Sequence, residues 1–180
     1  RVQRLDAVSV KLSDAASANT LTLSLISYWK LDEVSDGSGA VTRNDSVGTN
    51  HLTDNNTVAS AAGKLSNAAN LVAASSETLD RASNASLQTG NIDFSIAAWI
   101  NMATFANGGM IAAKATDVST AATMEWVLQV FTSGSNIARF GVSDGATRTF
   151  INSTVALSDS TWYFIVGWHD SVANTINIQV

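Results

Sequence analysis

Residues 91–102 read NIDFSIAAWINM, and this stretch decides the fold class of the chain. Alternate positions within it are apolar: Ile92, Phe94, Ile96, Ala98 and Ile100. Ser95, Ala97 and Trp99 occupy positions between them. Because successive side chains of a strand point to opposite faces, this period predicts a β-strand with one face against a core.

Six further segments of the same kind follow along the chain, separated by turns rich in Gly, Asn, Asp and Ser. They read GGMIAAKA (108–115), EWVLQVF (125–131), IARFGVSD (137–144), TRTFINSTV (147–155), TWYFIVGWHD (161–170) and TINIQV (175–180). Short strands at this spacing, without a long helical period, are typical of a β-sandwich or β-barrel. The sequence therefore predicts an all-β fold.

Composition and charge exclude several classes of function. Hydrophobic residues make up 46% of the 180 residues, so a sizeable core can form, and charged residues make up only 14%. The formal net charge of −5 repels phosphate backbones and anionic lipid heads, so neither nucleic acid nor membrane insertion is expected. The absence of cysteine excludes disulfides and thiol nucleophiles.

The segment TWYFIVGWHD at 161–170 raises the question of what its aromatic side chains do. One side of the predicted strand carries Trp162, Phe164, Val166 and Trp168, and the other side carries Tyr163, Ile165, Gly167 and His169. Both sides are largely apolar, which favours a central strand covered on both faces. The interpretation is that core packing, rather than sugar stacking, explains these aromatic residues: Trp99, Trp126, Trp162, Phe164 and Trp168.

No catalytic motif is present, so the chain is not expected to be an enzyme. It lacks the Gly-x-Ser-x-Gly and His-Glu-x-x-His patterns, and it has only two histidines. The Glu-x-Asp-x-x-Glu run that supplies paired carboxylates in jelly-roll glucanases is also missing. His169 is interpreted as the end of a strand, and Asp170 as the start of a turn.

Two loops carry the candidate binding residues. RNDSVGTNH at 43–51 contains Asp45 and Asn50, whose oxygens suit calcium but equally suit an Asx-type turn. SSETLDRASNAS at 75–86 supplies candidate ligand-binding side chains, although solvation alone also explains them: Glu77, Asp80, Arg81 and Asn84.

The order of segments resembles the LamG-like (laminin-G type 3, concanavalin A-like lectin/glucanase) domains. The matching pieces are LISYWKLDEVSDGSG (25–39), NDSVGTNHLT (44–53), the segment 61–87, FSIAAWINM (94–102), MIAAKA (110–115), TWYFIVGWHD (161–170) and TINIQV (175–180). The resemblance implies a two-sheet antiparallel jelly-roll sandwich over residues 25–180. Residues 1–24 are then expected to form an N-terminal arm or linker.

The resemblance also implies a non-enzymatic function. We expect a surface recognition or adhesion module, extracellular or on a cell or virion surface, that binds glycans or a protein partner. The alternatives are a structural or decoration subunit of a phage-like virion or extracellular assembly, and an accessory domain of a glycoside hydrolase. The family's closing strands have no counterpart up to Val180. Either further residues or a neighbouring copy or host assembly is therefore expected to pair with the open sheet edge, with the arm as a second contact.

Overall fold

The computed structural model describes the backbone of residues 2–11 and the whole of residues 24–132 and 135–180, and over these residues the chain is all-β. The strands are β1 (Val2–Lys11), β2 (Leu25–Trp29), β3 (Thr53–Asn55), β4 (Ala59–Ala62), β5 (Asn67–Val72), β6 (Thr78–Asp80), β7 (Phe94–Met102), β8 (Gly109–Ala115), β9 (Met124–Phe131), β10 (Ile137–Ser143), β11 (Arg148–Ala156), β12 (Tyr163–Asp170) and β13 (Thr175–Gln179). The helices of this part of the chain are 3-10 turns at Ala73–Ser75, Ala85–Leu87 and Ala121–Thr123, and none could cross a membrane.

The strands described form antiparallel sheets of three sizes. The large sheet has the order β13-β12-β7-β1-β5-β4, and β2 also pairs with β1. A four-stranded sheet has the order β11-β10-β9-β8, and β3 pairs with β6 in a small third sheet. The prediction of an all-β fold is confirmed.

Strand β1 occupies the middle of the large sheet. One of its edges pairs with β7 from Gln3 opposite Met102 to Lys11 opposite Ser95. Its other edge pairs first with β5 and then with β2. Val2–Lys11 belongs to the segment expected to be an arm, but its backbone is an integral part of the sheet. Residues 1 and 12–23 of that segment lie outside the described residues.

The core lies between the large sheet and the four-stranded sheet. Strand β7 buries the side predicted from its alternation: Phe94, Ile96, Ala98 and Ile100. Leu128, Val130 and Phe140 of the facing sheet join the same cluster. The rings of Phe94 and Phe140 meet edge-on with centroids 6.0 Å apart, which is the contact expected between the layers of a β-sandwich.

Two parts of the predicted core are wrong. Ile92 precedes β7 and is 42% exposed. The expectation that both faces of β12 are covered is also wrong, because only the side that carries Ile165 and His169 is buried, whereas Phe164 is 43% exposed. Of the tryptophans assigned to the core, Trp126 is buried as predicted, but the others are partly exposed: Trp99, Trp162 and Trp168.

The two sheets approach each other closely at the buried side of β12. A Cβ on Gly167 would lie 2.6 Å from the ring of Phe140, so a large side chain cannot be placed there. Phe164 and Trp168 of β12 lie on the outer face. There Phe164 packs against Trp99 with ring centroids 5.3 Å apart, and Lys64 Nζ lies 5.3 Å from the centroid of the Trp99 ring.

Candidate functional site

A cleft of about 530 Å³ opens between the end of β6 and the edge strand β8. Asp80 and Arg81 lie on its β6 side, and Lys114 and Glu125 lie on the side of the four-stranded sheet. Apolar side chains contribute most of the remaining surface: Trp29, Leu52, Leu79, Leu87, Ile111 and Trp126. An apolar cleft of this size with a few convergent polar groups is the usual form of a small-ligand site.

Short strands and loop contacts hold the β6 side in place. Asp80 lies opposite Thr53 in the β3–β6 ladder, and its Oδ1 accepts a hydrogen bond of 2.8 Å from Asn55 Nδ2. Arg81 donates from Nη1 to the carbonyl oxygen of Thr49 at 3.0 Å. Both predicted residues are therefore positioned at the cleft by neighbouring segments rather than free in solvent.

Adjacent strands supply the opposite side. Lys114 of β8 and Glu125 of β9 form an ion pair through Nζ and Oε1. The other carboxylate oxygen of Glu125 accepts hydrogen bonds from the backbone N–H and the hydroxyl of Thr89, each at 3.3 Å. Glu125 is therefore held between two segments of the chain, which gives this side of the cleft a defined shape.

Two buried N–H groups of the cleft lining have no hydrogen-bond partner among the described residues. They are Trp126 Nε1 and Arg81 Nε. By contrast, Trp29 Nε1 donates to the backbone carbonyl of Asn50 at 2.5 Å. A buried donor without a partner costs about 1–3 kcal/mol. Both nitrogens are closed off from solvent, so a ligand oxygen can accept from them only if neighbouring side chains move.

The acidic and basic side chains that line the cleft balance each other. Asp80 and Glu125 are acids, and Arg81 and Lys114 are bases. A cleft with this balance and with unpartnered donors suits an uncharged ligand that offers oxygen acceptors. Neither a strongly anionic nor a strongly cationic ligand finds a matching field there.

The other two residues predicted to bind ligand have structural contacts and do not line this cleft. Glu77 Oε2 accepts a hydrogen bond from the backbone N–H of Val72 at 2.7 Å. Asn84 Oδ1 accepts from the backbone N–H of Ser86 at 2.8 Å and caps the 3-10 helix that follows. The structure therefore brings together Asp80 and Arg81 but not Glu77 and Asn84.

The candidate calcium ligands Asp45 and Asn50 lie together and are buried. Asp45 accepts backbone hydrogen bonds from Tyr28 at 2.9 Å, Val47 at 3.0 Å and Asn50 at 3.1 Å, which is the pattern of an Asx-type turn. Asn50 Nδ2 donates to Ser27 Oγ at 2.7 Å. Within the described residues, no group of three His, Cys, Asp or Glu side chains is placed to hold a metal ion.

The pKa of Asp45 reflects the same contacts. Burial by itself raises the pKa of this carboxyl group, because a charged carboxylate is poorly solvated inside the protein. Hydrogen bonds from the backbone amides of Tyr28, Gly48, Val47 and Asn50 together outweigh burial and lower the pKa below the ordinary 3.8. Asp45 is therefore a carboxylate at neutral pH, held by the loop that it organises.

Arg43 connects the loops behind β3, and sequence reasoning did not single it out. Its side chain is fully buried, with Nη2 donating to the carbonyl oxygen of Val58 at 2.6 Å and to Asp54 Oδ2 at 3.3 Å. Nη1 donates to the carbonyl oxygen of Glu33 at 3.1 Å. Because Asp54 belongs to β3, this arginine fixes the small sheet from which Asp80 reaches the cleft.

Sequence reasoning also missed the cleft residues supplied by β8 and β9. Lys114 and Glu125 lie on two consecutive strands that the alternation predicts. Antiparallel pairing of these strands would have indicated that the two side chains lie close together. Trp126 was interpreted as core, and it is buried while also lining the cleft. No motif marks an indole N–H that lacks an internal partner, because that property emerges only when the chain folds.

Comparisons with protein-family models, with curated proteins and with solved structures find no match for this chain.

Proposed function

We propose that this chain is a non-enzymatic recognition module that binds a neutral glycan in the cleft between β6 and β8. The observation that carries the proposal is the largely apolar cleft lined by Trp29 and Trp126, behind which two buried donors, Trp126 Nε1 and Arg81 Nε, have no partner among the described residues. Glycan hydroxyl and ring oxygens accept such hydrogen bonds, and the C–H faces of a sugar ring pack on apolar and aromatic surfaces.

Charge supports a neutral glycan over an acidic one. The formal net charge of the chain is −5, which disfavours the approach of an anionic ligand. The cleft itself has no excess of basic side chains to offset that field. A neutral ligand meets neither obstacle.

The test is an array of neutral glycans from monosaccharides to hexasaccharides, followed by calorimetry on those that bind. Trp126→Phe keeps an aromatic ring and removes the N–H group. Since Trp126 Nε1 has no partner among the described residues, the substitution breaks no internal hydrogen bond there. We expect binding to weaken about tenfold, whereas Val34→Ala, at a side chain that is 80% exposed and away from the cleft, leaves it unchanged.

Two results would contradict the proposal. One is an array on which no neutral glycan binds at any length. The other is a Trp126→Phe variant that is folded, by its unfolding midpoint, and binds with the affinity of the unsubstituted protein. Arg81→Met is the second variant, because it removes Nε–H and the charge from the same cleft. It is expected to weaken binding in the same way.

The finer features of the fold belong to the same proposal. We propose a jelly-roll connection of the sandwich strands and kinship with the LamG-like domains, on the order of the sequence segments described above. An extracellular or surface location agrees with a glycan ligand. A crystal structure of a glycan complex would test the connectivity and the location of the ligand together.

The second candidate function is that of a structural subunit in a virion or extracellular assembly. The partly exposed aromatic side chains on the outer face of the large sheet, Trp99, Phe164 and Trp168, favour it, because such a patch suits contact with another protein. Light scattering separates the two functions. A concentration-dependent assembly that Phe164→Ser abolishes, together with an array on which no glycan binds, supports the structural function.

A further inference from the structure

A second cleft, of about 710 Å³, opens beside the first at the end of the sandwich. It lies where the two sheets part, because Phe94 and His169 of the large sheet and Met124 and Val142 of the four-stranded sheet all line it. The residues considered so far do not explain it. Its volume falls within the range of small-ligand sites, about 300–1,000 Å³.

His169 presents an unpartnered nitrogen in this cleft. The side chain is only 8% exposed, and its Nδ1 lies 2.8 Å from the backbone carbonyl oxygen of Ile92. A carbonyl oxygen only accepts hydrogen bonds, so Nδ1 carries a proton, and in the tautomer with that single proton Nε2 is an acceptor. That bond is the only one the ring makes with the described residues, and Nε2 is therefore available to a ligand donor.

Asp144 adds a second acceptor to the lining. One of its oxygens accepts hydrogen bonds from the backbone amides of Ala146 at 2.8 Å and Thr147 at 2.6 Å. These amides also lower the pKa of Asp144, so the group is a carboxylate at neutral pH. Both amides donate to Oδ1, which leaves Oδ2 for other donors.

Glu125 joins the two clefts, because it lines both of them. Its Oε1 meets Lys114, which lines the first cleft, and its Oε2 meets Thr89, which lines the second. Glu125 is therefore shared by two neighbouring openings. Arg81 and Lys114 line the first opening, whereas the acidic side chains of the second are Glu125 and Asp144.

We propose that the second cleft is a further subsite of the same binding site, so that the ligand is a neutral oligosaccharide that passes Glu125 and places hydroxyl donors on His169 Nε2 and Asp144. This inference rests on the proposed function. A sugar hydroxyl both donates and accepts, so one chain of sugars can satisfy the donors of the first cleft and the acceptors of the second. A single sugar fills only one of them.

The experiment compares affinity with chain length. Neutral mono- to hexasaccharides from the array are titrated by calorimetry against the unsubstituted protein and two second-cleft variants. His169→Asn places an amide N–H where Nδ1 donates to Ile92 and removes the Nε2 acceptor. Asp144→Asn keeps one oxygen for the turn amides and replaces the other oxygen by a donor.

We expect the affinity of the unsubstituted protein to rise about tenfold between the shortest and the longest oligosaccharides that bind. In both second-cleft variants this dependence on length disappears. Trp126→Phe weakens every length that binds, because it acts in the first cleft. Val172→Ala is the control at the same end of the sandwich, since this side chain is 93% exposed and lines neither cleft.

Three results would overturn the inference, and they differ in what they leave standing. If affinity is independent of length, or if both variants keep the length dependence of the unsubstituted protein, the second cleft is not a subsite and the first cleft remains a glycan site. If no neutral glycan binds, the proposed function and this inference fail together.

Discussion

Gly167 of β12 lies directly beneath the ring of Phe140 from the facing sheet, so close that a Cβ on Gly167 would come within 2.6 Å of it. The contact joins the two layers of the sandwich at a point where neither has room for another carbon atom. Phe164 and Trp168 lie on the opposite, outer face of the same strand. Four predictions follow from this and related contacts.

Gly167→Ala is expected to destabilise the protein by about 1–3 kcal/mol, because overpacking forces the Phe140 ring or the sheet backbone to shift. The matched control is Gly39→Ala, since a Cβ on Gly39 meets nothing within 4 Å. Urea denaturation monitored by tryptophan fluorescence measures both. Equal stability of the two variants would show that the sheets do not meet at Gly167.

Neighbouring residues of β12 test which face is buried. Ile165 is fully buried, so Ile165→Ala should cost about 2–5 kcal/mol of unfolding free energy. Phe164 is 43% exposed, so Phe164→Ala should cost much less in spite of the larger volume removed. Comparing the two losses of unfolding free energy shows which face of β12 is buried. A greater loss for Phe164→Ala than for Ile165→Ala would mean that Phe164, and not Ile165, lies on the buried face.

Arg43 and Asp54 form an ion pair with Nη2 and Oδ2 3.3 Å apart and with both side chains fully buried. Arg43→Ala should cost about 3–5 kcal/mol, because it leaves a buried carboxylate without its counter-charge. Arg43→Met combined with Asp54→Asn should cost less than the sum of the two single changes. Arg148→Gln, at an exposed side chain, provides the baseline in the same denaturation assay. Strict additivity would mean that the pair is not coupled.

The folded state should lose stability in acid through Asp45. Its pKa is lowered on folding, so its contribution is fully present above the unfolded-state pKa and is lost as the pH falls through the folded-state value. Asp45→Asn should cost about 1–3 kcal/mol at pH 7 and should show a shallower decline in stability below about pH 5. Denaturation curves measured from neutral to acid pH provide the comparison. If the stability of the variant and of the unsubstituted protein fell equally with decreasing pH, the acid sensitivity would come from groups other than Asp45.

Local periodicity was sufficient to predict much of this fold. The alternation in FSIAAWINM identified the buried side of β7 because the strand has one face against the core throughout its length. The same reasoning failed for β12, where both sides are apolar and period two does not say which side is inside. That choice depends on Phe140, which is distant in the sequence and close in space.

The candidate site was predictable only in part. Asp80 and Arg81 belong to a polar segment of the sequence, where binding residues are commonly found, and they reach the cleft at the end of β6. Their partners come from a different sheet, and no local pattern connects Arg81 with Trp126. His169 was correctly placed at the end of a strand, with Asp170 accepting the turn amides of Val172 and Ala173. The free nitrogen of its ring follows from the Ile92 carbonyl, which is seen only in three dimensions.

The position of β1 also has a consequence for how this chain folds during its synthesis. Val8–Lys11 can pair with β2 once the residues up to Trp29 have been synthesised, but its other edge pairs with β7, which follows much later in the sequence. Until β7 is available, β4 and β5 cannot form one sheet with β7, β12 and β13, because β1 is the strand that lies between β5 and β7. Closing so long a loop of nascent polypeptide is slow, so assembly of this sheet should be the late, rate-limiting event.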